Sequence, residues 1–235
     1  MVFLCDQTEQ GIHTLKERGL VPAGIPVLPP AREWGDVLGI LDALATSDHQ
    51  YKALALDAMG GLERLCHEEV CRRDYKGDWG KTGFVSYQNG PDTALADIRH
   101  FINKLDRLRD ERNMTVIILG HSKVKPFKNP AGPDYDRYIV DVHEKTWAML
   151  CKWAEMVLFI NYEVAFAKED QSKQKAKATG GQFRIAYTEY DASHEAKNRH
   201  NLPHEIELGR DGAKAAWDAL SKAIREGRKS EGSGE

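Results

Sequence analysis

Nowhere does the sequence stay apolar for the roughly 20 residues that a helix needs to cross a bilayer. Its opening Met-Val-Phe-Leu-Cys has neither the basic start nor the long apolar stretch of a secretory signal. Cysteine is scarce: Cys5, Cys66, Cys71 and Cys151 are the four. Cys66 and Cys71 lack the second CxxC or HxxxH pair that would complete a zinc site, so the four fit reduced, partly buried thiols in a cytoplasmic protein. Charge of one sign is also missing. The formal net charge is −3 and the pI is about 6.3. Nothing global marks a nucleic-acid binder, although a local basic loop remains able to hold a phosphate backbone. There is no internal repeat.

A phosphate-binding loop is not visible either. The pattern GxxxxGK[ST] works by aiming successive backbone N–H groups at phosphates, which requires glycine at the tight positions between a strand and a helix. Gly80-Lys81-Thr82 matches its end, but Tyr75 stands where the first glycine belongs. The residues leading in, Asp74 to Trp79, form no apolar strand.

What is present is a core. Hydrophobic residues make up 41% of 235 residues, enough for one α/β domain with a modest tail. Val2 to Cys5 reads as a buried strand that begins abruptly, a hint that something preceded it. Residues 21–30 carry Pro22, Pro26, Pro29 and Pro30 and read as an irregular connection. Val37, Leu38, Ile40, Leu41 and Leu44 predict a helix over about 33–45. Ala53 to Leu56 predicts a strand ending at Asp57, and Leu62 to Cys71 a helix. Residues 73–92 are Gly-rich, aromatic and loop-like. Leu95, Ile98, Phe101, Ile102, Leu105 and Leu108 share one face of a long helix over 93–112.

Thr115 to Leu119 (TVIIL) is the most apolar strand, with β-branched residues dominating it. Residues 123–141 predict a polar loop with Lys and Pro. A helix from about His143 to Cys151, a strand over 156–162, a mobile charged loop over 168–181 and a strand over 183–190 follow. A helix over 212–225 precedes a frayed tail. Strands alternating with helices predict an α/β fold with a mostly parallel sheet covered by helices on both sides. The domain reading is a core over 1–210 and a C-terminal helix with a disordered tail over 211–235.

In parallel sheets the chemistry gathers at the carboxyl ends of strands. Three strand ends carry polar residues there: Glu9, Asp57 and His121/Ser122. A strand running into Asp57 is how many ATPases present a carboxylate to magnesium or its bound water. An Asp in that place also fits a turn or helix cap. His121 and Ser122 could touch a γ-phosphate, or could cap the following loop. Lys197 and Arg199, spaced by two in an extended segment, point to one side. They fit either a phosphoryl-neutralising pair or a solvated basic turn.

Taken in order, Glu9, Asp57, His121, a polar loop and then Ala196-Lys197-Asn198-Arg199 resemble the layout of RecA-like ATPases. The likeness is nearest to phage nucleotide-binding proteins with a RecA-like AAA domain, including single-strand annealing ATPases, and it covers about 1–210. It implies a RecA-like P-loop NTPase core lacking its first strand, phosphate loop and following helix. It implies that Glu9 activates water, that Asp57 holds Mg2+ through water, and that His121 with Ser122 senses the γ-phosphate of ATP. Lys197 and Arg199 would act on a neighbouring subunit's nucleotide. Lys123, Lys125, Lys128 and Arg137 would contact single-stranded DNA. A homo-oligomer acting in the bacterial host cytoplasm, with a single-strand-binding protein as a further partner, is the implied setting. With the loop absent, ATP hydrolysis by these residues is expected to be impaired. A non-catalytic single-stranded DNA-binding module and a hexameric helicase fragment are the other readings.

Overall fold

The protein is described by a computed structural model covering residues 1–9, 11–166, 178–210 and 212–231. It divides into two compact units. The first takes Met1–Lys123 and Val140–Lys152, the second Val124–Ile139 and the described residues from Trp153 onward.

The first unit is built on a three-stranded parallel sheet in the order β1 (Val2–Cys5), β2 (Ala53–Asp57), β3 (Thr115–Ile118). β1 is followed by a short helix, α1 (Gly11–Glu17), and by the proline-rich connection. α2 (Trp34–Thr46) then buries Trp34, Val37, Leu41, Leu44 and Ala45, an i, i+3, i+7 stripe that gives it one apolar face. β2 (Ala53–Asp57) is the middle strand, with Leu54, Ala55 and Leu56 buried. It pairs with β1 on one side and β3 (Thr115–Ile118) on the other.

α3 (Met59–Asp74) starts three residues earlier than the sequence predicts. Gly60 and Gly61 read as a turn because glycine is a poor helix former, yet both lie in its first turn. α4 (Asn89–Arg112) also starts early, four residues before Thr93. Its Pro91 sits in the first turn, where the missing N–H has no intrahelical partner to lose. The Trp34 and Phe101 rings meet at 5.6 Å between centroids, joining α2 to α4.

β3 differs from its sequence reading. The most apolar segment would ordinarily be a fully buried strand, but among the described residues it pairs on one side only. Val116, Ile117 and Ile118 are half-buried, and Leu119 beyond it is 41% exposed.

Residues 123–141 are a second departure. They form two paired strands, β4 (Ser122–Phe127) and β5 (Tyr135–Val140), rather than a loop. Asn129-Pro130-Ala131-Gly132-Pro133-Asp134 between them is a dense turn signal. Lys128 and Asn129 both bond the Asp134 carboxylate across it. α5 (Glu144–Trp153) follows. The buried Glu63 carboxylate accepts the His143 N–H at 2.8 and 3.1 Å, just ahead of the first turn of α5.

The second unit is antiparallel. The strand expected over 156–162 is two, β6 (Met156–Val157) and β7 (Phe159–Phe166). β8 (Ala178–Tyr187) pairs with β7 and with β10 (Glu205–Gly209), while β6 pairs with β9 (Lys197–Asn198). The expectation of a mostly parallel sheet therefore holds for β1–β3 alone. From β7 to β10 no helix is described, so no crossover is available to make neighbours parallel. Of the charged loop expected over 168–181, residues 168–177 lie outside the described ones and Ala178–Gly181 belong to β8. α6 (Gly212–Glu231) packs its Ala216, Ala219, Leu220, Ala223 and Ile224 face on a core of Ala186, Leu202, Ile206 and Leu208.

Candidate active site at the strand ends of the first unit

Parallel strands finish at one edge, and the register sets how evenly they do so. Cys5 is level with Asp57, and Leu56 with Ile118. Two further bonds tie the ends together. Leu119 N–H donates to Leu56 O at 2.9 Å, and Leu119 O accepts the Met59 N–H that opens α3, at 2.8 Å. Asp57 is thereby held between the turn after β1 and the turn after β3. The Asp57–Ala58 peptide is cis.

The turn after β1 delivers Glu9 and the turn after β3 delivers His121. Their side chains meet, His121 Nε2 lying 3.1 Å from Glu9 Oε1. Glu9 is 29% exposed and His121 is 69% exposed, so the pair lies at the mouth of the edge. His121 is also fixed through its backbone, whose carbonyl accepts the Asp141 N–H at 2.8 Å.

Asp57 completes the group electrostatically. Burial, then the Glu9 carboxylate, push its carboxyl above the ordinary range; His121 opposes this and Asp6 adds to it. Cys5 feels the same field: burial first, then Asp57, Asp6 and Glu9, push its thiol up to about 11. Cys5 is thus a buried, protonated thiol rather than a nucleophile.

The other residues singled out from sequence sit as follows. Ser122 opens β4 and is exposed. Lys123 pairs with Asp141 at 2.6 Å and Lys128 with Asp134 at 2.6 Å. Lys125 is exposed on β4. Arg137 corrects the expectation of a phosphate contact. Its side chain is only 5% exposed, with the guanidinium between the Phe127 and Tyr190 rings at 5.3 and 4.9 Å and Glu195 at 3.8 Å. A buried guanidinium in contact with two rings is a packing element. Lys197 Nζ donates to Ala154 O at 2.7 Å, and Arg199 pairs with Glu155 at 2.7 Å. Both lie in the second unit with Lys125, Lys128 and Arg137, whereas Glu9, Asp57, His121, Ser122 and Lys123 lie in the first.

Gly80-Lys81-Thr82 folds as a turn around Asp78. The Asp78 carboxylate takes the Gly80 N–H at 2.6 Å and the Thr82 hydroxyl at 3.2 Å. Those donors face an acid instead of an open cradle. Asp6 and Gly61 are two residues of the strand-end site that sequence reasoning misses. For Asp6 a signal exists: an Asp at a strand end two residues ahead of a Thr is a side-chain turn signature.

The family model of the AAA domain matches residues 3–200. The chain belongs to the AAA domain family. No curated protein matches it. This AAA domain is accordingly of the nucleotide-binding P-loop NTPase type, and Glu9, Asp57, His121, Lys197 and Arg199 all fall inside the matched residues. No helix among the described residues is long and apolar enough to cross a membrane.

Proposed function

We propose that the strand ends of the first unit are the hydrolytic part of a RecA-like ATPase site, in a phage protein of DNA recombination or single-strand annealing. The observation that carries this reading is the Glu9–His121 contact at 3.1 Å beside Asp57. A carboxylate held by an imidazole at the mouth of a parallel sheet is suited to take a proton from water attacking a γ-phosphate. His121 and Ser122, at the start of β4, would report loss of that phosphate to the hairpin.

ATP and Mg2+ are the proposed cofactors. Among the described residues no three His, Cys, Asp or Glu side chains converge to hold a metal by themselves. Mg2+ keeps several waters and takes one or two carboxylates plus phosphate oxygens. Asp57 would hold it through water, and the ion would neutralise charge on the phosphates.

Lys197 and Arg199 would serve a neighbouring subunit's nucleotide, which makes a homo-oligomer part of the proposal. Lys123, Lys125 and Lys128 would contact single-stranded DNA. A single-strand-binding protein as partner and the host cytoplasm as location belong to the same reading. No segment of the 235 residues matches the phosphate loop, so these residues alone should bind ATP weakly and turn it over poorly.

The turn around Asp78 favours one alternative, a domain that binds single-stranded DNA without turnover, since it offers no phosphate cradle. Titration of the full chain with a fluorescent ATP analogue and Mg2+ separates the two. The ATPase reading expects micromolar or weaker binding that is reduced further in Asp57→Asn. DNA binding with no nucleotide effect at any concentration supports the alternative.

A further inference from the structure

Asp6 follows β1 directly and lies three residues ahead of Glu9. Its side chain is completely buried at the end of β1. One carboxylate oxygen, Oδ1, accepts three bonds: Thr8 N–H at 2.5 Å, Thr8 Oγ1–H at 2.5 Å and Glu9 N–H at 3.2 Å. Asp6 O accepts the Glu9 N–H as well, at 3.3 Å. The backbone of Glu9 is therefore clamped from both ends of one residue. The strand side of the clamp is fixed too: Asp6 bridges Ala31 in parallel, and Ala31 N–H donates to Cys5 O at 3.0 Å.

The second oxygen, Oδ2, has no hydrogen-bond partner among the described residues. It lies against Gly61 in the first turn of α3, where an added Cβ would fall on the carboxylate. A buried carboxylate costs free energy unless its oxygens are bonded, and here only one is. What Oδ1 provides is a bifurcated hold on the Thr8 and Glu9 N–H groups, placed beside Asp57.

We propose that Asp6 is the positioning residue of the strand-end site: by clamping the Thr8–Glu9 turn, with Gly61 leaving it room, it holds the Glu9 carboxylate on His121 Nε2. The proposal rests on the ATPase reading for its functional meaning, but the coupling it asserts exists in the unliganded protein.

Its test is a long-range 1H–15N spectrum of the labelled full chain at one fixed pH, reading His121 Nε2. Glu9→Gln defines the signal of a broken contact. Asp6→Ala and Gly61→Ala should move His121 Nε2 toward that position, while Asp6→Asn, which retains Oδ1, should stay near the wild type. A merely structural Asp6 would lower thermal stability and leave His121 where it is. If neither Asp6→Ala nor Gly61→Ala accumulates folded, Thr8→Val, which removes one of the three bonds to Oδ1, is read in the same way. Unmoved His121 Nε2 in the folded variants overturns the proposal, as does a Glu9→Gln spectrum identical to the wild type. Because no nucleotide is present, failure of ATP binding would sink the ATPase reading without touching this result, and the reverse also holds.

Discussion

Glu9 and His121 stand 112 positions apart in the chain, and their side chains meet at 3.1 Å. Nothing local brings them together. β1 and β3 flank β2 in a parallel sheet, and each turn beyond a strand end is pinned by its own backbone bonds. The Asp57 carboxylate, at the end of the middle strand, is the group this arrangement crowds.

Crowding has a sign that can be measured. The Asp57 carboxyl titrates above its ordinary range, through burial first and the Glu9 charge second. Glu9→Gln should therefore lower the Asp57 titration, read by carboxyl 13C NMR. A raised acid in the native state weakens folding once it is ionised. Asp57→Asn should raise the thermal midpoint at pH 7. That gain should fade as the pH falls through the native Asp57 titration and be gone below the ordinary carboxylate range, where the wild-type group is protonated in both states. A variant less stable than wild type at pH 7 would show that Asp57 makes a favourable contact instead.

The sheet makes a second prediction, about its middle and its edge. Leu56 on β2 is fully buried, whereas Leu119 just past β3 is 41% exposed. Leu56→Ala should cost about 2–5 kcal/mol in denaturant unfolding, as buried Leu truncations do. Leu119→Ala should cost under about 1 kcal/mol. Equal costs would contradict the edge position of β3.

The lysines of β4 and its turn give a third. Lys123 and Lys128 each have an Asp partner at 2.6 Å, and exposed pairs of this kind contribute little to stability. Replacing Lys123, Lys125 and Lys128 by Ala should weaken single-stranded DNA binding while leaving the thermal midpoint nearly unchanged. The log–log salt slope should shrink by about 0.7 for each phosphate no longer neutralised, roughly 2 in all. Arg137→Ala should do the opposite, leaving the slope alone and costing about 1–3 kcal/mol of stability through its two ring contacts. An unchanged slope in the triple variant would remove the hairpin from DNA recognition.

Much of the first unit is legible in the sequence because period and punctuation agree there. The Val37–Leu44 and Ile98–Leu108 stripes, and Ala53 to Leu56 running into Asp57, fall where the elements are. Glu9, Asp57 and His121 are legible as strand-end polar residues, and the parallel sheet gathers them. Other features are not legible. The burial of β3 cannot be read, because edge position depends on which strands pair rather than on composition. The 122–140 hairpin hides behind its lysines, which alternate along an exposed strand as they would along a loop. Arg137 reads as a DNA contact because charge is visible in sequence, whereas Phe127 and Tyr190 closing on it from distant positions are not. For Asp6 only the local turn signature is legible; Gly61, which lies against its carboxylate, reaches it through the fold.

The central claim is that Glu9, Asp57 and His121 act as one nucleotide-facing site. Chemical-shift mapping of the labelled chain with millimolar Mg2+–ATP tests it most directly, since it registers weak binding residue by residue. The expected result is perturbation concentrated at Asp6–Glu9, Asp57–Gly61 and Leu119–Ser122, weakened in Asp57→Asn. Perturbation centred on Gly80-Lys81-Thr82, or none at the three strand ends, would contradict it.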